Sequence, residues 1–290
     1  MRGTSGRALL GRPHGDAVLA QVLLGLGDRE EPEVEDRGGE RRIGLALAER
    51  ETLAQVLERV EIAGRLCHRA LLAGHLGERA RYGQHLKQGR PSDTIIAFNR
   101  AIIESTCDLV AAYKPNVAFY ERFGVDGYNA LRETVLTIRS LNPGVPVILD
   151  AKRADIGNTN AGYVDSIFKD LAADGTTVNP YLGFEALSPF SELADKIHFV
   201  LCRTSNPGAG EFQDLRVDDQ PLYMHVARHV AESWNANQNF GLVVGATSPA
   251  ELTEIRTAVP TLPLLIPGVG AQGGDVAAVA ASVRSAGTPN

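Results

Sequence analysis

The sequence predicts an α/β chain whose larger part is a (β/α)8 TIM barrel, apparently incomplete because strands 1 and 8 are not recognisable. Three observations lead there. Composition changes near residue 90: residues 1–90 carry one aromatic, Tyr82, and the other 16 lie in 91–290. Within 91–290, short apolar, β-branched runs alternate with amphipathic stretches, the pattern of a parallel sheet covered by helices. Polar residues then cluster at the C-terminal end of nearly every run. A barrel gathers all those ends around one mouth, whereas an open doubly wound sheet gathers only the few at its switch point.

The expected strands are 109–116 (LVAAYKPN), 146–152 (PVILDAK), 176–180 (TTVNP), 198–204 (HFVLCRT), 240–246 (FGLVVGA) and 263–269 (PLLIPGV). Helical patterns fall between them, among others at 128–140, 162–173, 221–235 and 249–258. The polar strand ends are Lys114, Asp150 with Lys152, Asn179, Arg203-Thr204-Ser205, Thr247-Ser248 and Gln272. Residues 91–290 are thus expected to form one domain, C-terminally truncated.

Residues 1–90 are set apart as an N-terminal segment of unknown role, rich in Arg, Leu and Ala. They hold 15 basic residues against 13 acidic, including the mixed charge block 29–42 (REEPEVEDRGGERR), which reads as solvated linker. Leu45, Leu53, Val56, Leu57, Val60 and Leu66 recur at rough helical spacing, so helices are expected between about 43 and 86. No chemistry is visible there.

Composition bounds the function. The chain has 290 residues, is 44% hydrophobic and has a net charge of −6. That is enough apolar material for a substantial core and far from a disordered composition. No basic excess advertises a nucleic-acid surface. No apolar run is long enough to span a membrane, and the N-terminus does not read as a signal peptide. Cys67, Cys107 and Cys202 are odd in number and widely spaced. They suggest neither a disulfide framework nor a metal knuckle and suit a reducing cytoplasm.

The chemistry is concentrated in 147–159 (VILDAKRADIGNT). Asp150 and Lys152 stand two apart at a strand end and so face the same way, into the barrel. Asp155 follows in the loop, and Lys114 ends the preceding strand. The result is an alternating Lys–Asp–Lys–Asp array in a confined place. A purely structural ion-pair cluster is the competing reading, but such clusters stabilise weakly for their desolvation cost.

These residues carry a family resemblance. The run DAKRADIGNT, with Lys114 in AYKPN ahead of it, resembles the D-x-K-x-x-D-I-x-x-T signature of the orotidine 5′-phosphate decarboxylases. FNRAIIESTCDLVAAYKPNVAFYERFG, NPYLGFEALSPF, LCRTSNPGA and IPGVGAQGGD look like the bacterial type-2 branch, in that order, over about residues 93–283. The resemblance implies a lyase of pyrimidine synthesis that converts orotidine monophosphate to UMP and CO2 without metal or organic cofactor. By it, Lys152 protonates C6, Asp150 lies against the departing carboxylate, and Lys114 and Asp155 complete the charged array. It also implies a homodimer in which Asp155 and Ile156 reach the neighbouring subunit's site, with Thr159 in the same motif.

The substrate's 5′-phosphate needs its own site. Gly268, Gly270, Gln272 and Gly273 lie in a glycine-rich loop after the last visible strand and before a helix, where backbone N–H groups can cradle an anion. The same letters satisfy a dinucleotide fingerprint, but the motif comes too late for a ribose-binding acid to follow. Thr204 and Ser205 are candidates for the pyrimidine ring, or else merely shape their loop. His225 and His229 are four apart on a helix without an apparent third metal ligand, and Cys202 reads as core.

The sequence also departs from the family. Members begin with a strand reading G-[IL]-D-P, whose Asp binds ribose. The nearest echo, 22–28 (VLLGLGD), lies about 65 residues before the first helix, which argues against it. Members continue into an eighth strand bearing a phosphate-binding Arg, whereas Arg284 falls in a helical stretch. A truncated or misassembled reading frame is the simplest expectation. Two further readings stay open: a related sugar-phosphate decarboxylase or aldolase, typically Mg2+-dependent, and a non-catalytic remnant.

Overall fold

The structure, a computed structural model, describes residues 22–24, 89–108, 110–269 and 273–284. The helices expected between 43 and 86, and Gly270 and Gln272, lie outside the described residues.

Seven parallel strands follow one another in space as they do along the chain. They are β1 (Val22–Leu24), β2 (Tyr113–Pro115), β3 (Ile148–Arg153), β4 (Gly175–Val178), β5 (Ile197–Arg203), β8 (Phe240–Val244) and β9 (Leu264–Leu265). β1 pairs with β2, and β3-β4-β5-β8-β9 form a continuous parallel sheet. The bridges Tyr113–Val147 and Asn116–Asp150 join β2 to β3. A doubly wound sheet would reverse its order at a switch point, and this one does not. Sequential order is that of a barrel, with no strand following the last helix among the described residues.

All six strands read from the alternating pattern are present, most of them shorter than expected, with β4 and β5 beginning one residue earlier and β3 ending one residue later. β1 is the unexpected one. Its distance from the first helix argues against the 22–28 echo, yet Val22–Leu24 runs beside β2 in the position of a first strand. Long connections are tolerated because closure entropy grows only logarithmically, about 0.6 kcal/mol per doubling of length.

Helices cover the outside. α1 (Pro91–Thr106) opens with Pro at its first position, where a missing N–H costs nothing, and Asp93 in its first turn pairs with Arg90 at 3.0 Å. It packs on α3 (Gly124–Leu141), after the single turn α2 (Ala118–Glu121). Ala130, Leu131, Thr134, Val135 and Ile138 form the buried stripe of α3 at spacings of one, three and four. Between them, Asn99 donates to Tyr120 and Thr134, at 2.9 Å each, so the buried amide of α1 finds its partners on α2 and α3.

α4 (Gly157–Val164) and α7 (Leu222–His229) each widen into a π turn, over Asp165–Asp170 and Val230–Trp234. α5 (Gly183–Ser191), α8 (Pro249–Ala258) and α9 (Val276–Arg284) complete the layer. After β5 the chain makes the short helix α6 (Gly210–Gln213) and a small hairpin, β6 (Arg216–Val217) with β7 (Gln220–Pro221). Asp218 and Asp219 both have positive φ there, the backbone of a primed hairpin turn.

Two apolar layers result. The larger joins helices to the outer faces of the strands. The smaller consists of Ala112, Ile148, Phe199, Val243 and Leu265, one residue from each of the strand lines of β2, β3, β5, β8 and β9. It is the floor on which the barrel's charged layer stands.

Candidate active site

Two residues above that floor along β3, the chain turns polar, and the change has a backbone cause. Leu149 pairs with Thr176, but the next pair is Arg153 with Val178, so three residues of β3 stand opposite Thr177 alone. Lys152, in this bulge, has φ +47°, a left-handed conformation that an L-residue adopts at a cost. Bulges re-aim side chains, and here both Asp150 and Lys152 join one cluster.

Asp150 is the hub. Its Oδ2 lies 2.7 Å from Lys114 Nζ and its Oδ1 2.6 Å from Lys152 Nζ. Thr177 Oγ1 donates to Oδ1 at 2.9 Å, and Asn116 Nδ2 to Oδ2 at 3.3 Å. The carboxylate's acceptor sites are therefore engaged from four directions. Burial alone pushes the Asp150 carboxyl up, but the two ammonium groups outweigh it and hold the group at about 2, ionised at neutral pH. Burial pushes Lys114 down, with Asp150 offsetting part of the effect.

The two lysines differ in exposure. The Lys114 side chain is 5% exposed and Lys152 48% exposed. Lys114 is thus a fixed charge beneath the carboxylate, while Lys152 stands at the mouth, free to meet a ligand.

The structure joins Lys114, Asp150 and Lys152 in ion pairs, while the hydrogen bonds of Asp155 are local to its own loop. Asp155 Oδ1 accepts the N–H of Ile156 at 2.7 Å, and its backbone N–H is taken by Asn160 Oδ1. Ile156 is 60% exposed, and Thr159 is exposed beside it at the start of α4.

Thr204 hydrogen-bonds within its loop: its N–H goes to Gln213 Oε1 at 2.9 Å and its hydroxyl to Asn206 Oδ1 at 2.6 Å. Ser205 is packed against Gly245, where a Cβ would stand 2.8 Å from the Ser205 backbone. In the glycine loop, Gly268 (φ +98°) accepts the N–H of Gly274 at 2.9 Å, which holds these two residues together. Gly273 also has positive φ. Asp275 Oδ1 takes the N–H of Ala278 at 2.6 Å, so one opening donor of α9 is already occupied.

The remaining candidates are structural. His225 and His229 each set a ring nitrogen against a backbone carbonyl, that of Val217 at 2.8 Å and of His225 at 2.9 Å. Cys202 is buried, its thiol pushed up to about 12 by that burial. Among the described residues no group of three or more His, Cys, Asp or Glu could hold a metal ion.

Sequence reasoning missed Asn116 and Thr177. Asn116 is two residues beyond Lys114, and Thr177 two before Asn179. The period-2 rule that placed Asp150 with Lys152 puts both on the same inward face.

A sequential parallel barrel with an ionised carboxylate clamped between two lysines at its strand ends is a barrel enzyme. Its site is suited to a reaction in which negative charge develops beside a fixed cation. Residues 96–286 match the orotidine 5′-phosphate decarboxylase / HUMPS family. An orotidine 5′-phosphate decarboxylase of Herpetosiphon aurantiacus is 52% identical over 204 residues, 70% of this chain and 74% of that protein. Among solved structures, Leishmania donovani OMP decarboxylase is 44% identical with a TM-score of 0.60, covering 63% of this chain and 72% of that one. The UMP synthase of the same organism is 45% identical with a TM-score of 0.64, covering 67% of this chain but only 43% of that longer one. The chain belongs to the orotidine 5′-phosphate decarboxylase family.

Proposed function

We propose that the chain is an orotidine 5′-phosphate decarboxylase, a carboxy-lyase of pyrimidine biosynthesis that releases CO2 from orotidine monophosphate to give UMP. The observation that carries the reading is the Lys114–Asp150–Lys152 triad, both ammonium groups within 2.7 Å of one buried carboxylate.

The chemistry follows from those charges. Breaking the bond from C6 to its carboxylate leaves an electron pair on C6. The exposed Lys152 ammonium stabilises that pair as it forms and then transfers a proton to it, leaving a neutral amine that regains its proton from solvent. Asp150 stands against the substrate carboxylate, a like-charge contact that neutral CO2 relieves. At about 4 Å and an effective dielectric of about 20 this amounts to roughly 4 kcal/mol, about three decades of rate. Lys114 holds Asp150 ionised and in place.

Binding must outweigh that repulsion, and the remote phosphate supplies the means. The backbone donors of 268–274 are its site, with Thr204 and Ser205 turned toward the pyrimidine once substrate displaces their loop contacts. The active unit is a homodimer in which Asp155, Ile156 and Thr159 complete the partner's site. The exposure of Ile156 supports this. Residues 91–290, together with β1 beside β2, form the catalytic domain. The chain acts in the cytoplasm, a reading supported by its cysteine pattern; no described helix is long and apolar enough to cross a membrane.

The test is to incubate the full chain with orotidine monophosphate, with and without a chelator, and assay UMP. UMP formation indifferent to the chelator supports the reading. Formation abolished by the chelator, or no UMP from folded protein, contradicts it.

A further inference from the structure

The bulge in β3 leaves the backbone N–H of Lys152 without a strand partner, because three residues oppose Thr177 alone. That N–H is taken by the Thr177 hydroxyl at 2.9 Å. The same oxygen carries a proton, which it donates to Asp150 Oδ1 at 2.9 Å. A hydroxyl can accept and donate at once, and an ionised carboxylate can only accept, so the directions of both bonds are settled. Thr177 is 1% exposed, so neither bond has water as a ready substitute.

We infer that Thr177 is a positioning residue for the reaction, the clamp that ties the left-handed backbone at Lys152 to the carboxylate of Asp150. The inference rests on the decarboxylase reading. One side chain on β4 thereby sets the relative placement of the two reacting side chains on β3. Without it, Lys152 has no partner to stabilise φ +47°, and the carboxylate loses a donor on the oxygen that Lys152 Nζ also approaches. Nothing in Thr177 touches the reacting atoms. Its effect is on geometry, where a displacement of about 1 Å can cost two decades of rate.

The experiment compares the full chain with Thr177→Val, which keeps the β-branched shape and loses both bonds, and Thr177→Ser, which keeps the hydroxyl. Steady-state kinetics, thermal melting and hydrogen exchange at the Lys152 amide are measured on each. The expected result for Thr177→Val is a fall in kcat of about 10- to 100-fold with KM within about threefold, together with lost protection of the Lys152 amide. Thr177→Ser should keep both near the parent. Should Thr177→Val fail to fold, Thr177→Ala takes its place. Parent-like kcat in Thr177→Val, or an equal fall in the Ser and Val variants, overturns the inference. If the parent itself makes no UMP, the decarboxylase reading fails separately. The clamp is then judged by the Lys152 amide, whose unchanged protection in Thr177→Val overturns it and whose loss supports it.

Discussion

Lys114 and Lys152 bind opposite oxygens of the same Asp150 carboxylate, one ammonium almost wholly buried and the other half in solvent. Two like charges brought this close are tolerated only because the carboxylate lies between them. Removing Asp150 therefore does more than delete one group: it leaves two ammonium ions facing each other.

Replacing Lys114 should cost stability as well as activity. Lys114→Met leaves Asp150 with Lys152, Thr177 and Asn116, so the loss should fall below the 3–5 kcal/mol typical of a wholly unpaired buried ion, at about 1–3 kcal/mol. Denaturant unfolding at neutral pH reads it. An unchanged midpoint would mean that burial of Lys114 costs as much as its pairing returns.

Stability should fall in mild acid because of His198. It is wholly buried among Phe168, Phe190 and Phe240. Burial holds its pKa at about 4, below the ordinary 6.5 of the unfolded chain. With the folded value depressed, the stabilisation is complete above about pH 6.5 and is lost as pH falls toward 4. The full loss is about 3 kcal/mol. Unfolding midpoints across that window should slope in the parent and flatten in His198→Phe; equal slopes would discharge His198 from the role.

Gly274 should be intolerant of a side chain. A Cβ there would lie 2.5 Å from the Gly268 carbonyl oxygen and 2.6 Å from Ala246 Cβ, so Gly274 must move away from Gly268. If this loop holds the phosphate, Gly274→Ala should raise KM for orotidine monophosphate at least about tenfold, the equivalent of one charge-assisted contact. An unaltered KM would move the phosphate elsewhere.

Shared sites can be tested by mixing. Lys152→Ala and Asp155→Ala should each be nearly inactive. Unfolded and refolded together in equal amounts, they should recover about a quarter of parental activity, since half the dimers are hybrids with one intact site each. No recovery would place Asp155 in its own chain's chemistry or outside it.

Much of this molecule was legible because its strands are buried on both faces. The six apolar runs, and the polar residues that end them, suffice to name a barrel and to put Asp150 beside Lys152. Three things were hidden. β1 lies in a segment whose composition speaks against any role in the barrel, and only its pairing with Tyr113–Pro115 reveals it. The β3 bulge is invisible because no glycine marks it; Lys152 itself takes the left-handed conformation. The β6–β7 turn uses Asp218-Asp219 instead of a glycine pair, so no turn signal stood out. In each case tertiary contacts impose a backbone that local preference does not request.

The most direct measurement is single-turnover loss of orotidine monophosphate absorbance, parent beside Lys152→Ala, both shown to be folded. Decarboxylation by the parent that vanishes in the variant is the result expected of a site whose exposed lysine delivers the proton. Equal rates in the two proteins, or no loss of substrate in either, would contradict it.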